Sequence, residues 1–229
     1  MKWEEWKPFY ERIVREMGYS IEADGRSAEL LRAILIENDN YIIKEELEAL
    51  IMKKVYVFGA GPNLEDALRK YDFSDGTKIA ADGATTALLE YQIIPDIVVT
   101  DLDGRIRDLI KASGRAIMVV HAHGDNMDKL PLVTHFPVVL GTCQTEPLDI
   151  IYNFGGFTDG DRAAFLAEEL GAREIILVGF DFSGLVGKWS KPWLKQHTTA
   201  WEEKRKKLGF ARELLQWLKD NGKAKITFR

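Results

Sequence analysis

The stretch from Lys78 to Gly104, "KIAADGATTALLEYQIIPDIVVTDLDG", contains one full turn of the alternation that decides the fold. "KIAA" and "DIVVT" are short apolar runs, and "TTALLEY" between them carries its apolar residues at helical spacing. The same rhythm runs from Lys54 onward. "VYVFG" precedes a helix from Pro62, and "RIRDLIKA" follows "DIVVT". "AIMVVH" leads into "NMDKLPLVTHF", which reads as helix, and then "PVVLG". "DRAAFLAEELG" leads into "EIILVGF", and a long helix, "KRKKLGFARELLQWLKDNG", into "KAKITF". Strand–helix repetition predicts a layered, Rossmann-like α/β fold with a mainly parallel sheet. Continuously apolar strands suit a sheet covered by helices on both faces.

Before Lys54 the pattern is helical. Trp3, Trp6, Phe9, Ile13, Val14 and Met17 recur at three- and four-residue steps. A second helix is expected from Ser27 as N-cap through Leu30, Leu31, Ile34 and Leu35, and a third from Glu45 to Met52. The expected organisation is a helical segment over 1–52 packing on an α/β domain over 53–229.

Composition narrows the partners. The chain has 229 residues, 46% of them hydrophobic and 29% charged, which is enough for one large domain with its own core. A net charge of −5 argues against nucleic acid held by general basicity. An anionic ligand would need local lysines or a divalent cation. A single cysteine, Cys143, excludes an internal disulfide framework and suits a reducing cytosol. No run approaches the roughly 18 apolar residues of a membrane span, and the first turns lack an apolar signal core. A cytoplasmic protein with no membrane partner is expected.

In sheets of this kind ligands bind beyond the carboxyl ends of the strands, and here those positions are polar. Asp82 follows "KIAA", Asp101 and Asp103 follow "DIVVT", His121, His123 and Asp125 fall at "AIMVVH", and Asp181 follows "EIILVGF". One acid in such a loop is an ordinary cap or turn residue. Five at one edge repel one another, and a bound cation relieves that repulsion. All-oxygen ligands favour Mg²⁺. Asp101 and Asp103 are the expected centre of the site, with Asp82 or Asp125 arriving from neighbouring strands. Magnesium on a few carboxylates points to a phosphorylated substrate.

Three further segments bear on that substrate. "FGAGPN" places Gly59, Gly61 and Asn63 between a strand and a helix, where backbone N–H groups can approach a phosphate. Leu64 occupies the third glycine position of a dinucleotide fingerprint, and a P-loop ending is missing. A tight turn explains the loop equally well. The long connection from Gly184 to Leu208 has the length of a lid and carries Lys188, Lys191, Lys195, Lys204, Lys206 and Lys207. Its alternative is a solvated basic helix end. In "NFGGFTDGDR", Thr158 to Asp161 fits a capping box, while Gly155 and Gly156 give backbone freedom that a cap does not require.

"AADGATTALLEYQIIPDIVVTDLDG" resembles the metal and nucleotide core of thiamine pyrophosphokinases. The fuller set, "GAGPN", "ADGAT", "PDIVVTDLDG", "HAHGDN", "NFGGFTDGDR", "GFDFSG" and "KKL", is similar to the archaeal 6-hydroxymethyl-7,8-dihydropterin pyrophosphokinases, over Gly59 to Leu208. That resemblance implies Mg²⁺-dependent transfer of a diphosphoryl group from ATP to the primary alcohol of a reduced pterin, with AMP released, in biosynthesis of a methanopterin- or folate-type cofactor. It implies Asp82, Asp101, Asp103 and Asp125 at the metal, and Gly59, Gly61, Asn63, Lys204 and Lys207 toward ATP. Lys188 would steady the phosphates in the transition state. His123 or Asp125 would take the alcohol proton, and Asn153, Asp159 and Asp161 would face the pterin. Analogy with related kinases adds a homodimer. Rival expectations are a thiamine acceptor, a metal-dependent hydrolase built on His121 and His123, and a nucleotide-binding module without turnover.

Overall fold

A computed structural model describes residues 1–229. The chain begins with helices α1 (Trp3–Met17), α2 (Ile21–Asn38) and α3 (Lys44–Glu48). The alternation then runs β1 (Lys54–Phe58), α4 (Leu64–Lys70), β2 (Thr77–Ala81), α5 (Ala84–Glu90), β3 (Ile97–Thr100), α6 (Ile106–Ser113) and β4 (Ile117–Ala122). It continues with β5 (Val139–Cys143), β6 (Ile151–Tyr152), α7 (Asp159–Glu169) and β7 (Glu174–Val178). A small antiparallel pair, β8 (Leu185–Val186) and β9 (Thr198–Thr199), precedes α8 (Glu202–Asn221) and β10 (Lys225–Phe228).

Eight strands form one sheet in the order β10-β7-β1-β2-β3-β4-β5-β6, and every pairing in it is parallel. Side chains alternate across each strand, so each sheet face receives its own apolar set. Tyr56, Phe58, Ala80, Val98, Met118 and Val120 pack in the layer with α2, α4, α5 and α6. Val55, Val57, Ile79, Val99, Ile175 and Leu177 pack in the opposite layer with α7 and α8. The α/β expectation therefore holds, and the sheet is parallel throughout. The first two helices divide between the layers: Trp6, Tyr10 and Ile13 of α1 join the second, and Ala28, Leu31 and Leu35 of α2 join the first.

Strands β1 to β6 step outward on one side, whereas β7 returns to the other flank of β1. That reversal opens a crevice at the carboxyl ends of β1 and β7, the usual ligand position in open parallel sheets. Gly61 N–H donates to the Gly179 carbonyl at 2.8 Å and closes its floor.

Several local expectations are corrected. The second helix starts at Ser20, whose hydroxyl accepts from Ala23 N–H at 3.2 Å, and not at Ser27, which lies buried inside α2. The third helix stops at Glu48, and α4 begins at Leu64 instead of Pro62. "NMDKLPLVTHF" forms short 3₁₀ turns at Gly124–Asn126 and Leu130–His135. Pro131 falls in this segment and has no N–H to donate, so it interrupts the hydrogen bonding of a continuous helix.

Candidate active site

The opening stretch builds the centre. Asp82 follows β2 with φ 36°, and its Oδ1 accepts from Thr100 Oγ1 at 2.5 Å. Leu102 sits between Asp101 and Asp103 with φ 67° and donates its N–H to Thr100 Oγ1 at 2.9 Å. A left-handed backbone is unfavourable for residues with side chains, and two of them in adjacent loops mark a site held against its local preference. Gly104 ends the turn because a Cβ there would lie 2.6 Å from Asp82 Oδ2. Thus "TDLDG" and Asp82 fold as one unit.

Asp159, the first residue of α7, completes the cluster. One carboxylate oxygen from each of Asp82, Asp101 and Asp159 lies within 4.8 Å of the others. Burial, followed by the Asp101 charge, pushes the Asp82 carboxyl up to about 6. Burial, with Asp101 and Asp82 beside it, holds Asp159 well above the usual carboxylate range. Burial also opposes ionisation of Asp101, but the bond to His123 and nearby positive charge outweigh it and hold that carboxyl low. His123 Nε2 stands 3.5 Å from Asp101 Oδ2. Asp159 Oδ1 is buried without a hydrogen-bond partner. Three converging oxygen donors, one of them orphaned, fit a hard divalent cation.

Two cavities meet at this cluster. The first, about 120 Å³, lies over the β1–β7 crevice and is walled by Gly59, Gly61, Gly83, Gly179 and Phe180. The second, about 350 Å³, is enclosed by Tyr19, Phe157, Trp193 and Trp201 together with Gln144 and Arg162. Asp103, Thr158, Asp159, Lys191 and Lys204 line both. The basic connection folds over the first cavity. A Cβ on Gly83 would lie 2.0 Å from the Trp189 carbonyl, so the connection seats directly on the start of α5. Lys191 pairs with Asp103, and burial pushes the amines of Lys191 and Lys204 down from their usual range.

The structure therefore brings Asp82, Asp101, Asp103, His123, Gly59, Gly61, Lys204 and Lys207 to these cavities, and moves Asp159 from the expected acceptor edge into the acid cluster. Other expected residues lie elsewhere. Asp125 is exposed in a 3₁₀ turn and stands outside the cluster, where Asp159 takes the place expected for it. Lys188 bonds Glu65 of α4 at 2.7 Å and lines neither cavity; Lys191, three residues on, faces the acids. Asn63 is exposed before α4. Asn153 is consumed by its own loop: its Nδ2 donates to the Thr145 carbonyl at 2.7 Å, and its Oδ1 accepts from Gly155 N–H at 2.9 Å. Asp161 is buried as a cap, accepting from the N–H groups of Phe157 and Thr158 at 2.6 and 2.8 Å. His121 is buried against Thr142 and stands outside the acid cluster. Arg162 and Gln144 were not anticipated. The available signal was Arg162 in "FTDGDR", three residues after Asp159 and so on the same helix face.

Acids and lysines converging on a glycine-lined crevice at the switch point of a parallel sheet define a site for phosphate-bearing ligands. Residues 34–186 match the family described as 6-hydroxymethylpterin diphosphokinase MptE-like, and the chain belongs to that family. It is 82% identical over 226 residues to the 6-hydroxymethyl-7,8-dihydropterin pyrophosphokinase of Pyrococcus furiosus, covering 99% of this chain and 98% of that one. Proteins of the same name from Methanothermobacter thermautotrophicus and Methanocaldococcus jannaschii are 43% and 41% identical. Those matches cover 96% and 100% of this chain, and 97% and 99% of theirs. A solved Maf glycosyltransferase from Magnetospirillum magneticum AMB-1 matches 58% of this chain and 23% of its own, at 21% identity and a TM-score of 0.46. That likeness is too partial to bear on the site.

Proposed function

We propose that the protein transfers the β,γ-diphosphoryl group of ATP to the hydroxymethyl oxygen of 6-hydroxymethyl-7,8-dihydropterin, releasing AMP. The observation that carries this reading is the meeting of two unlike cavities at one set of acids and lysines. The narrow, glycine-walled cavity suits a polyphosphate approached by backbone, and the wider aromatic one suits a flat heterocycle. The names of the full-length relatives support the same acceptor.

Asp82, Asp101 and Asp159 would hold Mg²⁺, with Asp103 beside them at the shared rim. Bound there, the ion supplies positive charge against the phosphate oxygens. Lys191 and Lys204 reach both cavities and bind the phosphates along the path of transfer. Diphosphoryl transfer asks for positioning and charge stabilisation more than covalent help. The alcohol oxygen attacks the β-phosphorus, the bond from that phosphorus to the α,β-bridging oxygen breaks, and AMP leaves. His123 Nδ1 accepts from Asp125 N–H at 3.2 Å, so Nε2 carries the ring proton. That Nε2, 3.5 Å from Asp101 Oδ2 at the edge of the second cavity, steadies the carboxylate instead of taking the alcohol proton. The Lys188–Glu65 pair fastens the basic connection to α4, away from the chemistry.

Incubation with Mg²⁺, ATP and 6-hydroxymethyl-7,8-dihydropterin, with thiamine in a parallel reaction, tests the assignment by chromatography and mass. AMP in equal amount to a pterin bearing two added phosphates is expected. ADP as the nucleotide product, or preferential use of thiamine, would overturn it.

A further inference from the structure

Arg162 is buried, 8% exposed, in the wall of the aromatic cavity beside the acids. A guanidinium carries five N–H donors in a planar fork. Here Nη2 donates to Gln144 Oε1 at 3.2 Å, Nη1 stands 3.7 Å from Asp159 Oδ1, beyond hydrogen-bond length, and Nε has no partner. A buried cation left this short of acceptors is costly unless a ligand supplies them. Arg162 lines the aromatic cavity and a void of about 10 Å³ beside His121 and Phe154, but not the glycine-walled cavity. The void has room for no more than about one water, so the ligand this fork can meet is the acceptor and not the nucleotide's polyphosphate.

Resting on the acceptor proposed above, we infer that Arg162 reads the O4/N5 edge of the reduced pterin. In a 7,8-dihydropterin, O4 and the imine N5 are neighbouring acceptors on one edge, the arrangement that O6 and N7 of guanine offer to arginine in bidentate recognition. C6, which bears the hydroxymethyl group, adjoins N5. A fork gripping that edge next to Asp159 therefore aims the alcohol at the acid cluster. The same contact excludes a tetrahydropterin, whose N5 carries a hydrogen and would meet a donor with a donor.

A buried chain holds the fork from behind. Gln144 Nε2 donates to Asp24 Oδ2 at 2.8 Å, and Tyr10 Oη donates to the same oxygen at 2.7 Å. Gly124 N–H donates to Asp24 Oδ1 at 2.8 Å, and Trp6 Nε1 to the Gln144 carbonyl at 2.8 Å. Tyr10 and Trp6 belong to α1 and Asp24 to α2, so the N-terminal helices set the position of the acceptor-reading arginine through Gln144.

The test titrates the full chain, with Mg²⁺ and α,β-methylene-ATP present, with 6-hydroxymethyl-7,8-dihydropterin and with its 5-deaza analogue, in which C–H replaces N5. The parent should bind roughly 10- to 100-fold more tightly than the analogue. Arg162→Lys keeps the charge but loses the fork; it should bind the two ligands alike and raise the pterin KM while leaving the ATP KM unchanged. Gln144→Leu should shrink the preference partway with the ATP KM again unchanged. Equal binding of both ligands by the unmodified protein, or an undiminished preference in Arg162→Lys, overturns the inference. The unmodified protein decides alone if the variants do not fold. AMP release with the parent pterin but no preference defeats only the role of Arg162, whereas no binding of either pterin defeats the proposed function itself.

Discussion

Two sets of buried aspartates lie close together in this molecule and behave differently. Asp24 and Asp161 are surrounded by donors: Asp24 accepts from Tyr10, Gln144 and Gly124, and Asp161 from Phe157 and Thr158. Asp82 is as buried as these two and Asp159 is mostly so, its side chain 16% exposed, but both are crowded by Asp101 and poor in donors, with one Asp159 oxygen unpaired. Burial of an acid is therefore not the functional signal. An unmet demand for positive charge is, because a folded chain satisfies its structural acids itself and leaves ligand-binding ones to be completed.

The comparison breaks most easily at its centre. Asp101→Asn should lower kcat for AMP release by at least ~10³-fold, on the scale of losing a principal electrostatic contact in the transition state. Its circular dichroism should match the parent, and its metal-free unfolding midpoint should hold or rise, because Asp82 and Asp159 lose a like charge. Asp161→Ala should do the opposite. It strands the donors of Phe157 and Thr158 at the start of α7 and should cost ~3 kcal/mol in denaturant unfolding. Its kcat per folded molecule should change little.

The lysines sharpen the same contrast between what the fold satisfies and what it leaves open. Lys191→Ala should lower kcat by ~10²-fold with a smaller rise in the ATP KM, as expected for charge used in the transition state. Lys188→Ala breaks the partly exposed pair with Glu65 and should change kcat by less than ~10-fold. Steady-state kinetics on the two variants side by side measure the difference. Equal losses would return Lys188 to the chemistry.

How much of this was readable beforehand follows from the same physics. The alternation from Lys54 and the acids after β2 and β3 were legible, since strand and helix periods are local and loops at strand ends are short. The capping box at Thr158–Asp161 was legible as well, because a cap is a contact between near neighbours. Entry of Asp159 into the cluster was not. It depends on where α7 docks after β6, far along the chain from Asp82. The choice of Lys191 over Lys188 falls in an irregular connection, where no period says which way a side chain faces. Ser27 was read as a cap because it precedes an apolar run, but Ser20 supplies the bond and the helix passes through Gly25 and Ser27. The chain Tyr10–Asp24–Gln144–Arg162 spans helices and strands that only the tertiary fold brings together.

The central claim is that Asp82, Asp101 and Asp159 form one cation site. Calorimetric titration of Mn²⁺, as a surrogate for Mg²⁺, into the full chain and into Asp159→Asn and Asp125→Asn tests it most directly. Saturable binding that weakens at least ~10-fold in Asp159→Asn and is unchanged in Asp125→Asn is the predicted result. Unaltered binding in Asp159→Asn, with loss in Asp125→Asn, would contradict it.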